Sequence, residues 1–306
     1  ENKGIDLTIN STNITNKNFT WNTSITLSHN KNSVKKLTGE DVQLWEANFG
    51  YSQNTHIIGV NQPLGQMYGY VTDGLYQVSD FDYDAATKTY TLKDGVPYAG
   101  EKGNVKPGMW KFKNIDGSKD NKITEADKTV IEEDKQVIGN ANPKFYGGLT
   151  NTFTFKGFDL SIFLNFSYGN DVFNATKLTN TKTALQNKNV LAVADSKHRW
   201  VLVNKAGDLI TDPQEMADIN KGKTVAAIYD NEAGDTYIHS WAVEDGSFLK
   251  LSNITLGYTF PKKMIRKVGL SKLRLYATGS NLLTWTKYSG FAPAVSPMGN
   301  ALPPGV

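Results

Sequence analysis

The stretch PKFYGGLTNTFTFKGFDLSIFLNFSYGND, residues Pro143 to Asp171, decides the fold of this chain. After the dipeptide Lys156-Gly157, polar side chains alternate with the apolar residues Phe158, Leu160, Ile162, Leu164, Phe166 and Tyr168, and Phe163 is the exception on the polar side. A period of two over this length predicts a β-strand, and the preceding arm from Tyr146 to Phe155 alternates in the same way. The stretch therefore predicts two strands of about 10 residues joined by a tight turn, long enough for tilted strands that cross a bilayer.

Two further hairpins follow from the same pattern. Residues 4–30 alternate through Ile5, Leu7 and Ile9 and again after a turn around Thr15–Asn18, with Thr, Ser and Asn as the polar partners. In the last third, Gly246–Phe260 and Leu273–Leu283 predict a third pair, joined by the basic connection KKMIRKVGLSK, which has room for one helical turn. The sequence thus predicts about six long strands in three hairpins with short connections.

Much longer segments, residues 31–142 and 169–243, separate the hairpins. They are rich in Gly, Asn, Asp and Lys, and we expect short strands, with a small hairpin in residues 79–100. A short helix is predicted at Asp212–Asn220, because Asp212 can cap it and Pro213 suits its first position. Short turns at one end and long loops at the other are the asymmetry of an outer-membrane β-barrel.

The amino-acid composition limits the classes of protein to which this chain can belong. The mean hydropathy of −0.42 would suit a soluble protein, but in a barrel only alternate residues face lipid, so the average stays polar. The net charge is only +3, and no cluster of basic and aromatic residues is present, so the sequence does not predict nucleic-acid binding. The absence of cysteine excludes disulfides and thiol chemistry.

Aromatic residues near the predicted strand ends suit the interfacial girdles of a barrel, although aromatics also favour strands in general. These residues are Trp21, Phe166, Tyr168, Tyr258, Phe260, Trp285 and Tyr288. The alternatives are a soluble carbohydrate-binding β-sandwich and a hydrolase on a β-rich scaffold. The apolar faces distinguish them: in a sandwich they pack against a second sheet, and in a barrel they form one outward band about 25 Å tall.

Four blocks of the chain resemble the SusC/RagA family of TonB-dependent outer-membrane transporters, in the order of that family. They are NKGIDLTIN (Asn2–Asn10), GQMYGYVTDGLYQ (Gly65–Gln77), the block Val137–Asn174 that contains the opening stretch, and VEDGSFLKLSNITLGYTFPKKMIRKVGLSKLRLYATGSNLLTWTKYSGFAP (Val243–Pro293). Together they cover roughly half of the chain. Residues 175–242 have no counterpart in this comparison.

The resemblance implies a 22-stranded barrel in the outer membrane, filled by an N-terminal plug and covered by a SusD-like surface lipoprotein. It implies TonB-driven import of oligosaccharides or peptides. The chain opens on Glu-Asn-Lys and ends on Pro303-Pro304-Gly305-Val306, so we expect residues 1–306 to be a C-terminal portion of the barrel, without plug, TonB box or last strand.

The segment Lys113–Ile131 resembles an EF-hand calcium loop. Its candidate ligands are Asp116, Ser118, Asp120, Lys122 through its carbonyl, Thr124 and Asp127. The spacing suits the clustered oxygen ligands of calcium, but Asn121 stands where the motif has glycine. A polar turn that caps a short helix is the alternative. We therefore expect no required cofactor, with structural calcium as an option.

Aromatic residues in the long segments are candidates for stacking against sugars or peptide side chains, or else for packing within the loops. They are Trp45, Tyr51, Tyr68, Tyr70, Trp110, Trp200 and Trp241. The histidines His29, His56, His198 and His239 show neither metal-ligand spacing nor a neighbouring nucleophile pattern. No catalytic constellation emerges, so the sequence predicts a protein that is not an enzyme.

Overall fold

The computed structural model describes residues 1–39, 41–46, 54–123, 134–181, 189–229 and 237–294. The strands, in chain order, are β1 (Asn2–Thr15), β2 (Phe19–Asn32), β3 (Val42–Glu46), β4 (Asn54–Gly59), β5 (Gln66–Tyr70), β6 (Thr72–Leu75), β7 (Phe81–Asp84), β8 (Thr89–Leu92), β9 (Tyr98–Ala99), β10 (Trp110–Phe112), β11 (Lys122–Ile123), β12 (Lys135–Asn140), β13 (Phe145–Phe155), β14 (Phe158–Tyr168), β15 (Asp171–Phe173), β16 (Val243–Asp245), β17 (Phe248–Thr259) and β18 (Arg274–Thr286). The helices are short: α1 (Ala175–Asn180), α2 (Pro213–Ile219) and α3 (Lys262–Ile265). Within these ranges no helix is both long enough and apolar enough to pass through a membrane.

The six long strands form one antiparallel sheet in the order β1-β2-β13-β14-β17-β18. The predicted six strands in three hairpins are confirmed. The opening stretch supplies the central pair, β13 and β14. Its turn has positive φ at both Lys156 (46°) and Gly157 (92°), which is the backbone that a two-residue hairpin with right-handed twist requires.

The register gives the sheet two chemically distinct faces across all six strands. We call the apolar face the one that carries the row Ile9, Ile25, Leu149, Leu164, Leu251 and Leu283. We call the polar face the one that carries the row Thr12, Asn22, Thr152, Ser161, Thr255 and Thr278. Because side chains alternate along each strand, a one-residue slip would exchange the faces, so this pattern fixes the register.

The apolar face is exposed. Ile5 is 73% exposed and Phe158 is 50% exposed. The buried apolar clusters found in the described ranges lie instead between residues 67 and 243 and take no residue from the six long strands. The sandwich alternative is therefore wrong for the part of the chain that the structure describes, since no second sheet covers this face there.

The height of the apolar face suits a membrane. From the row of Phe145 to the row of Phe155 the strand advances by ten residues, which at about 3.3 Å each and a tilt of about 40° spans roughly 25 Å. This agrees with the outward band that the barrel prediction requires.

The long segments fold into a second body, which we call the loop module (residues 33–144 and 169–247). Its described residues contain the four-stranded sheet β12-β5-β4-β3, four strand pairs, among them the predicted hairpin β7–β8, and three isolated bridges. Helix α2 confirms the predicted helix, because Pro213 opens it and the Asp212 carboxylate accepts from the Glu215 amide at 2.7 Å.

Both long segments contribute to the same core. The Tyr70 amide donates to the Ile238 carbonyl at 2.9 Å, and the Thr72 amide donates to the Ser240 hydroxyl at 3.0 Å. The largest apolar cluster unites Tyr70, Leu75, Trp110, Phe112 and Ile123 from the first segment with Trp200, Ile210, Met216, Ala226, Ala227 and Tyr237 from the second. The loop module is thus one folded unit made from two distant parts of the sequence.

Phe163, the exception in the alternation, lies on the polar face and covers a glycine. A Cβ on Gly148 would come within 2.8 Å of the Phe163 ring. The ring therefore fills the space that the missing side chain leaves, which is a known way of stabilising glycine in a sheet.

Candidate functional site

Aromatic rings border the apolar face at the end with the short turns. Phe19, Phe155, Phe158 and Tyr258 share one row of the register. The Phe158 and Tyr258 ring centroids are 4.5 Å apart, and Tyr258 and Phe260 are 4.9 Å apart. At the other end Phe145, Tyr168 and Trp285 are exposed on the same face. The rings thus occupy both edges of the apolar band, as interfacial girdles do.

One polar network interrupts the apolar face. The Asn151 side-chain oxygen accepts from Trp21 Nε1 at 2.9 Å and from the Thr23 hydroxyl at 2.7 Å. Asn13 Nδ2 donates to Thr23 Oγ1 at 2.6 Å, and the Ser11 hydroxyl donates to Asn13 Oδ1 at 2.8 Å. Because these groups satisfy one another, the network suits a surface that meets hydrocarbon, where unpaired polar groups cost several kcal/mol.

The polar face carries an ion pair close to the short turns. Arg274 donates through Nε to Asp159 Oδ1 at 3.0 Å and through Nη2 to Asp159 Oδ2 at 2.5 Å. The pair bridges β14 and β18 over Gly257 of β17, where a Cβ would lie 2.5 Å from the guanidinium. The two partners are 115 positions apart in the sequence, so no local sequence signal reveals the pair.

Most of the aromatic residues predicted to contact a ligand lie in the loop core. Tyr68, Tyr70, Trp110 and Trp200 are buried, and Trp241 is half-buried. The first four rings pack within the loops, because distant parts of the two long segments close over them. Tyr51 and the side chain of Trp45 lie outside the described residues. A role for these rings in binding stays a prediction.

We call the two long segments of the loop module, residues 33–144 and 169–247, the two excursions. The second excursion contains an open cleft whose lining is more exposed than these aromatic rings. It has a volume of about 780 Å³ and is lined in part by Val203, Lys205, Glu215 and Ile219. A cleft of this size with apolar walls and a few charged groups is typical of a small-ligand surface. Sequence reasoning missed it because its lining residues come together only after α2 folds back on the segment around Val203.

A charged cluster ties three parts of the molecule together at the end with the long loops. Glu244 accepts from the Ser289 amide at 2.7 Å and the Ser289 hydroxyl at 2.8 Å, and it pairs with Lys177 Nζ at 3.0 Å. Lys177 Nζ also donates to the Trp241 carbonyl at 2.8 Å and lies 4.2 Å from the Trp241 ring centroid. Burial would raise the pKa of Glu244, but the Ser289 donors and Lys177 outweigh burial and hold that pKa below its ordinary value.

We expect Glu244→Gln to loosen this cluster, since it removes the charge that Lys177 and Ser289 face. Hydrogen bonds to charged groups contribute about 1.5–3 kcal/mol, so local opening should become roughly 10–100 times more frequent. Hydrogen exchange in the whole protein should rise in peptides around Lys177 and Ser289. Glu215→Gln, on the exposed side of α2, is the matched control and should change exchange at neither place. Equal exchange in the two variants would contradict the role of Glu244.

The EF-hand-like segment forms a turn with several features of a calcium loop. Asn121 has φ of 56°, the left-handed backbone for which the motif uses glycine. Asp116 accepts from the Ser118 amide at 2.8 Å and Asp120 from the Lys122 amide at 3.1 Å. Thr124 and Asp127 lie outside the described residues, and within the described ranges no three His, Cys, Asp or Glu residues converge. Calcium binding by this segment stays a prediction.

The four histidines lie apart from one another. His29 and His198 are exposed; the His29 ring hydrogen-bonds to the distant Lys144 carbonyl and the His198 ring to the nearby Asp195 carboxylate. His56 and His239 are buried in the loop module, and burial lowers the pKa of His56 to about 4. His56 is therefore neutral at physiological pH, as a structural histidine in a core is.

The chain is similar over nearly its whole length to two curated receptors. It is 31% identical over 295 residues to TonB-dependent receptor P3 of Formosa agariphila, which covers 96% of this chain and 25% of that protein. It is 26% identical over 302 residues to TonB-dependent receptor SusC of Bacteroides thetaiotaomicron, which covers 96% of this chain and 24% of that protein. The chain thus spans about a quarter of the length of the relatives it matches. No family model matches it.

A solved structure agrees on the fold. The RagAB peptide transporter superposes with a TM-score of 0.60 at 20% identity, over 95% of this chain and 26% of the transporter chain. The agreement concerns the all-β architecture described above, a long-stranded antiparallel sheet with its loops.

Proposed function

The chain belongs to the SusC/RagA family of TonB-dependent receptors, and from this premise we propose that it forms part of the wall and mouth of an outer-membrane nutrient importer. The observation that carries the proposal is the exposed apolar face, continuous over six strands and edged by aromatic rings. In water such a face would promote aggregation, whereas in a bilayer it is the surface that contacts lipid.

The two ends of the sheet take different roles in this proposal. The short turns face the periplasm, and the loop module lies at the outer mouth, where it meets the nutrient. The polar face, with its Thr, Ser and Asn side chains, lines the lumen around the plug. The chain contributes a C-terminal portion of a 22-stranded barrel and provides transport rather than catalysis.

The proposed cargo is an oligosaccharide or a peptide, taken up with a SusD-like surface lipoprotein and with energy delivered through TonB. The peptide option is supported by the fold of the RagAB peptide transporter, and partnership with a lipoprotein by the similarity to SusC and RagAB. The open cleft near Val203 and Glu215 is the described surface best suited to first contact with such a ligand.

Deletion of the whole receptor gene in its host tests the proposal. Uptake of one class of labelled ligand, oligosaccharides or oligopeptides, should be lost, should return with the intact gene, and should require the proton-motive force. The intact receptor should sediment with detergent-extracted outer membrane and pull down the lipoprotein. Recovery of the receptor only from the soluble periplasm, or unchanged uptake of both ligand classes after deletion, would refute importer function.

A further inference from the structure

The three short connections between the long strands form one edge of the sheet, which we call the short-turn rim (residues 16–18, 156–157 and 260–273). Hydrogen bonds link the connections along this edge: the Lys156 amide donates to the Asn18 carbonyl at 3.3 Å, and the amide of Thr259, the last residue of β17, donates to the Gly157 carbonyl at 2.8 Å. The Phe260 amide closes the third connection onto the Leu273 carbonyl at 3.0 Å. The rim is therefore a continuous border rather than three separate loops.

This rim is strongly and uniformly basic. It carries Lys17, Lys156, Lys262, Lys263, Arg266, Lys267 and Lys272 and no acidic residue. The whole chain has a net charge of only +3, so the remaining residues are net negative by 4. Among the residues that the structure describes, none of these seven cations takes part in an ion pair. Seven cations on one edge without neutralising partners make that edge complementary to an anionic surface.

The third connection adds exposed apolar side chains to this charge. Met264 is 59% exposed and Val268 is 71% exposed, while Ile265 between them is buried. The Leu270 amide bonds to the Ile265 carbonyl at 3.1 Å, after a left-handed turn at Gly269. Basic residues interleaved with exposed apolar residues in a short helical segment are typical of elements that lie in a membrane interface.

The rim also continues the apolar face. The ring row of Phe19, Phe155, Phe158 and Tyr258 lies directly beside it, and Lys156 Nζ lies 5.3 Å from the centroid of the Phe155 ring. Along the apolar face toward the rim, the side chains change from aliphatic to aromatic, and at the rim they are cationic. In a bilayer the same path leads from hydrocarbon through the interface to the phosphate groups.

We propose that the short-turn rim binds the phosphate groups of anionic phospholipids in the adjacent membrane leaflet, with α3 and the segment after it lying in the interface. This inference rests on the proposed outer-membrane location. Lys262, Lys263, Arg266 and Lys267 contact the headgroups, and Met264 and Val268 enter the acyl boundary. Each cation near such a surface strengthens binding about fivefold, so the four together exceed what a single contact could provide.

The test uses the full-length receptor in detergent, exposed to equal amounts of phosphatidylglycerol and phosphatidylcholine, with the retained lipids counted by native mass spectrometry. The wild type should retain phosphatidylglycerol at least about tenfold over phosphatidylcholine. The variant K262Q/K263Q/R266Q/K267Q should lower this ratio at least about fivefold. The matched control K31Q/K36Q/K113Q/K221Q removes the same charge from exposed lysines away from the rim and should keep the wild-type ratio.

Equal retention of both lipids by the wild type, or an equal loss of preference in both variants, would overturn the inference. Folding is checked separately by heat-modifiable migration in gels and by recovery in the outer membrane. A receptor that never reaches the outer membrane refutes the proposed function. A receptor that is inserted normally but has no rim-dependent lipid preference refutes only this inference.

Discussion

Replacing Leu149 by lysine is expected to prevent stable insertion of the receptor. Leu149 lies near the middle of β13 on the apolar face, between Ile25 and Leu164 in its row. A lysine on the lipid face near the midplane costs about 2–4 kcal/mol, because its charge has no partner in hydrocarbon. We expect a lower midpoint of urea unfolding in lipid vesicles and less heat-modifiable receptor in the outer membrane.

Thr150→Lys is the matched control for this prediction. Thr150 is the next residue of the same strand, is half-buried like Leu149, and lies on the polar face between Ser24 and Phe163. A lysine there can reach water, so we expect a loss of less than about 1 kcal/mol. Equal losses from the two variants would contradict the assignment of the faces.

Gly108→Ala is expected to destabilise the loop module strongly. Gly108 has φ of +87°, and a Cβ there would lie 2.4 Å from Cγ of the buried Trp200 ring. The left-handed backbone alone costs an alanine about 1–2 kcal/mol, and overpacking adds about 1–3 kcal/mol. The ring has no room to retreat, because Trp200 belongs to the core that both excursions share. Pulse proteolysis of the whole receptor should show faster cleavage within residues 196–227, while the strands stay protected.

Gly74→Ala separates these two costs. Gly74 has a similar φ of +79°, but a Cβ there meets nothing within 4 Å. This variant should therefore lose only the backbone cost of about 1–2 kcal/mol. If both alanine variants opened the module to the same extent, contact with Trp200 would not be the reason for glycine at position 108.

The sheet could be predicted from the sequence because each long strand has two different surroundings. Apolar residues face one side and Thr, Ser and Asn the other, so the alternation from Phe158 to Tyr168 is visible without any knowledge of partners. The tight turn at Lys156-Gly157 and the helix after Asp212 were equally predictable, because their signals are local. Even the exception, Phe163, was visible as a break in the alternation.

The loop module could not be predicted to the same depth, because its interactions join residues that are far apart in the chain. The burial of Trp110 depends on contacts with His239 and Trp241, whose ring centroids both lie 4.9 Å away. Glu244 finds its partners in Lys177 and Ser289, on either side of it in sequence. Nothing near these residues in sequence distinguishes a core aromatic from an exposed one.

The shared core of the two excursions limits how the loop module can be re-engineered or recombined. If residues 33–144 alone were exchanged for the corresponding segment of a relative, Tyr237 would lose the Tyr70 and Phe112 rings against which it packs, and the Ile238 carbonyl would lose the Tyr70 amide. The transplanted segment and the remaining native segment would each contribute core side chains that had not been packed against each other before. The two excursions therefore behave as a single unit, and a stable hybrid protein would need both to be grafted together.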